Sequence, residues 1–87
     1  MPLIERRLYE LGLTLPQPLV PPGTFQLVKV HGGLAYIAGH GPFDGSTPLV
    51  QGLVGRDLTL EEAYEAARLT GLSILASLKR EPATSIV

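Results

Sequence analysis

Two apolar runs, Thr24–Val30 and Leu34–Gly39, are separated only by His31-Gly32-Gly33, and nothing else in the chain restricts its folding as much. The first run, TFQLVKV, is rich in β-branched and aromatic residues and sets Phe25 and Leu27 against Gln26 before Val28 and Val30, the pattern of a strand. The second, LAYIAG, is nearly all apolar, which predicts a strand covered on both faces. So short a glycine-bearing gap predicts a tight turn and an antiparallel hairpin, with His31 exposed in the turn.

The flanking segments complete an α+β reading. Residues 1–12 place Leu3, Ile4, Leu8 and Leu11 on one helical face, with Gly12 as a stop. Residues 13–23 form a linker whose four prolines, within LPQPLVPPG, bar both helix and sheet ladder. After the hairpin, Gly39, Gly41, Gly45, Gly52 and Gly55 mark a bulged loop, with a short extended piece around Leu49–Val54. The strongest helix signal follows. Thr59 and Glu62 have capping-box spacing, acids open the helix and Lys79 and Arg80 close it. Ala63, Ala67, Gly71, Ile74 and Leu78 are expected to form its packed stripe, widened by Leu60, Tyr64 and Leu75, with the small residues allowing close approach to a sheet. Residues 24–80 thus form a β-β-α core within a single domain spanning 1–87.

Composition excludes several functions. Seven basic residues against eight acidic ones give a net charge of -1, with no basic footprint for nucleic acid or an anionic membrane. With no cysteine, disulfides and thiolate chemistry are ruled out. No apolar run approaches the roughly 20 residues of a membrane helix, and the N-terminus is too charged for a signal peptide; the expected setting is cytoplasmic. His31 and His40, the two histidines, match no metal-ligand spacing. No nucleophile elbow or phosphate loop is present, so no cofactor is expected. Asp44 and Asp57 read as turn and pre-helix residues. His40 stands apart, because it follows an apolar strand and a glycine at a strand end. Its ring either lines a pocket or takes part in chemistry there, or it makes a structural hydrogen bond in the loop.

The run PPGTFQLVKVHGGLAYIAGHGPFDG, followed by LVQGLVGRDLTLEEAYEAARLTGLSILASLK, resembles the N-terminal half of the Rid family. These are the YjgF-type reactive intermediate (imine) deaminases, also called L-PSP endoribonuclease-like proteins. In that family a Pro-x-Gly segment leads into the first strand, and the second strand ends in Ser-Gly-Gln-x-Pro. The resemblance implies a chorismate-mutase-like α+β fold, assembled as a homotrimer with pockets at the subunit interfaces. It places Phe25, Ala38, Gly39 and His40 at a substrate-binding wall. Phe25 stands where many members carry tyrosine, Ala38 where serine is common, and His40 at the usual glutamine.

The implied chemistry is deamination of imines or enamines of the 2-aminoacrylate type, or binding of a small carboxylate-bearing metabolite. The family's catalytic arginine and glutamate come from a second half that this chain does not contain, so catalytic residues are unassigned and the chain is expected to be inactive alone. A non-catalytic binding protein is the alternative, with endoribonuclease action carried by the family label only. Residues 81–87 depart from the resemblance. One choice of codons for Glu-Leu-Gly-Asp-Leu-Asp-Arg-Val becomes Glu-Pro-Ala-Thr-Ser-Ile-Val-stop after a single-base deletion, so the tail reads as out of frame and the domain as truncated.

Overall fold

The computed structural model describes residues 3–21 and 23–81; of the tail read as out of frame, 81–87, all but Glu81 lies outside that range. Six elements follow in order: α1 (Leu3–Glu10), β1 (Val28–His31), β2 (Leu34–Ile37), β3 (Phe43–Asp44), β4 (Thr47–Pro48) and α2 (Leu60–Arg80). β1 and β2 pair antiparallel, His31 opposite Leu34 and Val28 opposite Ile37. The turn is two residues, Gly32 and Gly33, with φ of 59° and 77°. Both values lie in the left-handed region, as a primed hairpin turn requires, and only glycine takes them without strain.

The hairpin is shorter than its apolar runs. Thr24, Phe25 and Gln26 precede the ladder, and His31 belongs to β1 instead of the turn. Ala38 lies beyond β2 but extends the pairing, its N–H donating to the Leu27 carbonyl at 2.9 Å. The expectation that β2 is covered on both faces is overturned, since all four of its residues are exposed. The reason is geometric. The core gathers Leu27, Val28 and Val30 against Ile74, Leu75 and Leu78, with Ile4 and Leu19 at its margin. α2 therefore covers β1. Ala35 and Ile37 share that inner face by register, but no described element reaches them.

Residues 49–54 form no strand beyond an isolated bridge from Val54 to Leu58; a second hairpin, β3–β4, precedes them, with Phe43 opposite Pro48. This hairpin anchors the proline-rich segment. The Gln17 N–H donates to Asp44 Oδ1 at 2.7 Å, and the Gly45 N–H donates to the Gln17 carbonyl at 3.0 Å. The linker is thereby fixed against the body.

α2 begins as its sequence predicts. The Glu62 N–H donates to Thr59 Oγ1 at 3.1 Å and the Thr59 N–H to Glu62 Oε1 at 3.0 Å, closing the capping box. It ends at Glu81, whose ψ of 116° is the extended conformation imposed on a residue before proline. Its packed face differs from the expected stripe. Ala67 and Gly71 are exposed, as are Leu60 and Tyr64, and a Cβ at Gly71 would meet nothing within 4 Å. The buried positions are Leu72, Ser73, Ala76, Ser77 and Leu78. The sheet is too narrow to cover the first half of α2, so Ala67 and Gly71 face solvent while Ala63 is part-buried. α1 docks through Ile4 and Leu8, and Lys79 Nζ reaches Glu5 Oε1 at 2.6 Å.

Candidate functional site

The strand-end segment Ala38-Gly39-His40-Gly41 leaves β2 over the C-terminal half of α2. His40 is half-buried there, and both of its ring nitrogens are bonded. Nδ1 lies 2.8 Å from the Ala38 carbonyl and Nε2 lies 2.8 Å from Ser77 Oγ. A carbonyl only accepts, so Nδ1 carries a proton. In the neutral ring Nε2 then accepts from the Ser77 hydroxyl.

Serine to imidazole to acceptor is also the hydrogen-bond order of a serine nucleophile. Two features argue against that use. Ser77 is 5% exposed, and it lies inside α2, where backbone N–H groups bond carbonyls one turn back and are not free to hold an oxyanion. The third member is a neutral carbonyl, a weaker partner for imidazolium than a carboxylate.

His40 borders a cavity of about 580 Å³, whose walls also include Phe25, Gly39, Gly41, Phe43 and, from the linker, Leu19. Three of the four residues expected at the pocket wall therefore meet at one cavity: Phe25, Gly39 and His40. Ala38 does not line it. Its side chain packs against the core, and its carbonyl orients His40. Gly41 is needed for close approach, because a Cβ there would stand 3.0 Å from the Phe43 ring. Among the described residues no charged side chain lines this cavity. No group of three metal-ligating side chains exists among them, and no helix among them is long and apolar enough to cross a membrane.

Ser77 was invisible as a site residue from sequence, since a serine in a helix carries no motif. The signal lay in period alone: Ser73 and Ser77 sit four apart, between Leu72 and Leu78, on a face that has to be buried. Ser73 is 0% exposed, and its hydroxyl has no hydrogen-bond partner.

A putative endoribonuclease is how a crystal structure from Shewanella oneidensis MR-1 is titled, and this chain superposes on it with a TM-score of 0.80 at 34% identity over 87% of its own length. The chain shares the α+β fold of this Rid-like neighbour. No family model and no curated protein matches it. It spans 50% of the length of the Shewanella protein. The Rid-type α+β fold thus accommodates His40 at the strand end, with Ser77 of α2 as its partner.

Proposed function

We propose that this chain provides the strand-end wall of a small-molecule pocket in a Rid-type protein, and that its own residues bind without catalysing. The observation carrying this reading is that both nitrogens of His40 are occupied, by Ala38 and by Ser77. A ring held at both ends has no free nitrogen to place or deprotonate a water. Phe25, Phe43 and Leu19 give the cavity an apolar character that suits binding. Deamination of a 2-aminoacrylate-type imine also needs a cation for the substrate carboxylate, and the described wall of this cavity holds none.

The test pairs two assays on the same sample. The chain is expected to leave the rate of imine hydrolysis at its uncatalysed value while its melting temperature rises with a small apolar ligand. Hydrolysis that is lost in His40→Ala would overturn the reading. The name carried by the Shewanella protein is not extended to this chain, because a net charge of -1 gives RNA phosphates no attraction. Self-association, as in the family trimer, belongs to the same proposal. Leu34, Tyr36 and Ile37 are 59%, 56% and 43% exposed beside the edge of β2 that no other described strand pairs, and open apolar strand edges promote pairing. Sedimentation velocity of the full chain, expected to show species heavier than a monomer, tests this part.

A further inference from the structure

The first half of α2 carries a face that no described residue covers. Leu60, Tyr64, Ala67, Gly71, Ile74 and Leu78 recur at alternating steps of four and three, the a/d spacing of a coiled-coil seam. Ile74 and Leu78 turn their part of that seam into the hydrophobic core. The other four positions are exposed, Leu60 at 76% and Tyr64 at 75%. Two large apolar side chains are thus followed by two small residues, and a Cβ at Gly71 would meet nothing within 4 Å. Two opposite charges flank them. Glu61 enters no ion pair among the described residues. Arg68 is bonded to Glu65 through Nε and Nη2, which leaves its Nη1 donors for a second carboxylate.

We infer that this half-seam is a self-recognition surface, through which α2 pairs antiparallel with α2 of a second copy about a two-fold axis. Read in reverse, the half-seam is its own complement, large against small and acid against base, and this selects a second copy as the occupant. With the axis between Glu65 and Ala66, Leu60 lies over Gly71 of the partner subunit and Tyr64 over Ala67 of the partner subunit. Large side chains then fill the hollows left by small ones. The same register sets Glu61 against Arg68 of the partner subunit, twice by symmetry, and opposes the two helix dipoles. A parallel pair would stack Gly71 on Gly71 of the partner subunit, leaving a void, and would set Arg68 beside Ala63 of the partner subunit. The surface belongs to a different element from the edge of β2, and the inference does not depend on the binding reading above. A seam of about three turns is short, so the pair should form in a concentration-dependent way.

The experiment is sedimentation velocity of the full chain carrying Tyr36→Lys, which charges the edge of β2 and leaves α2 as the contact under test. Concentration-dependent dimers are expected. Glu61→Arg and Arg68→Glu should each weaken the dimer at least tenfold. An equimolar mixture of the two variants should recover it, because every facing pair is then of opposite sign. Gly71→Leu should raise helicity, since leucine favours the helix over glycine, yet weaken the dimer at least tenfold by displacing Leu60 of the partner subunit. Far-UV circular dichroism of each variant reports its fold. A monomer at every concentration overturns the inference and leaves the face to a different polypeptide. A dimer that persists in Gly71→Leu, or that the mixture fails to recover, places the contact elsewhere and overturns it as well.

Discussion

The long helix and the first hairpin solve the same problem with unequal resources. α2 satisfies its backbone internally and closes its own N-terminus with Thr59 and Glu62. What it takes from the rest of the chain, namely apolar cover, the His40–Ser77 bond and the Lys79–Glu5 ion pair, falls on its second half. The β1–β2 hairpin satisfies half of its backbone groups at best among the described residues, where each strand has a single partner, and it shows the whole of β2 to solvent. A helix is complete in hydrogen bonds from local sequence, whereas a strand is complete only when neighbours arrive on both edges. The candidate site stands where the two regions meet, with His40 supplied by the hairpin's exit and Ser77 by the helix.

The sharpest way to break that junction is at Leu27, which is 6% exposed and packs in the core cluster with Val28 and Leu78. Leu27→Ala is expected to cost about 2–5 kcal/mol. In so small a core that should abolish a cooperative urea transition, and a transition with an unchanged midpoint would show that the hairpin does not depend on the helix. The two buried serines sharpen the comparison by opposite signs. Ser77→Ala leaves His40 Nε2 without its partner and is expected to cost about 1–3 kcal/mol. Ser73→Ala removes a hydroxyl that has no partner and is expected to stabilise by about 1 kcal/mol. Chemical denaturation of both variants beside the parent checks the pair, and equal effects would contradict the bonding described for His40.

Tyr36→Lys acts on the open strand alone. It should leave the denaturation midpoint within about 0.5 kcal/mol and shift sedimentation towards the monomer, since a charge on an edge strand opposes pairing. An unchanged sedimentation profile would remove β2 from the association surface.

The smallest expected effect is the helix's own response to acid. The Glu62 carboxyl is held below its ordinary value of 4.5 by the Thr59 backbone N–H, then by the Thr59 hydroxyl. The Arg68 guanidinium lowers Glu65 in the same direction. A depressed folded-state pKa means the contribution is complete above the ordinary value and fades as pH falls below it towards the folded value. Helicity at the start of α2 should therefore decline below about pH 4.5, and Glu62→Gln, which can still cap, should flatten that part of the profile. A profile unchanged in Glu62→Gln would assign the acid response elsewhere.

Much of this was legible from residue order. The glycine pair between two apolar runs dictated a hairpin, because only a primed turn accepts two consecutive positive φ angles. The Thr59–Glu62 spacing dictated where α2 starts, and the proline after Glu81 dictated where it stops. Phe25, Gly39 and His40 were recognisable as companions through the family resemblance. Other features followed from which segments lie beside one another. The helix face around Ala63, Ala67 and Gly71 had the right composition for close packing, yet no described sheet reaches it. β2 had the composition of a covered strand, yet the helix stops at β1. Asp44 read as a turn residue, and the fold turned it into the anchor of the linker through Gln17. The partnership of His40 with Ser77 spans 37 positions, and no local pattern encodes a contact at that separation. Local sequence determined the elements and their ends, because turns, caps and helix breaks depend on a few adjacent residues. Only the tertiary structure decided which faces are buried and which side chains share a cavity, because burial depends on what else is present to cover a surface.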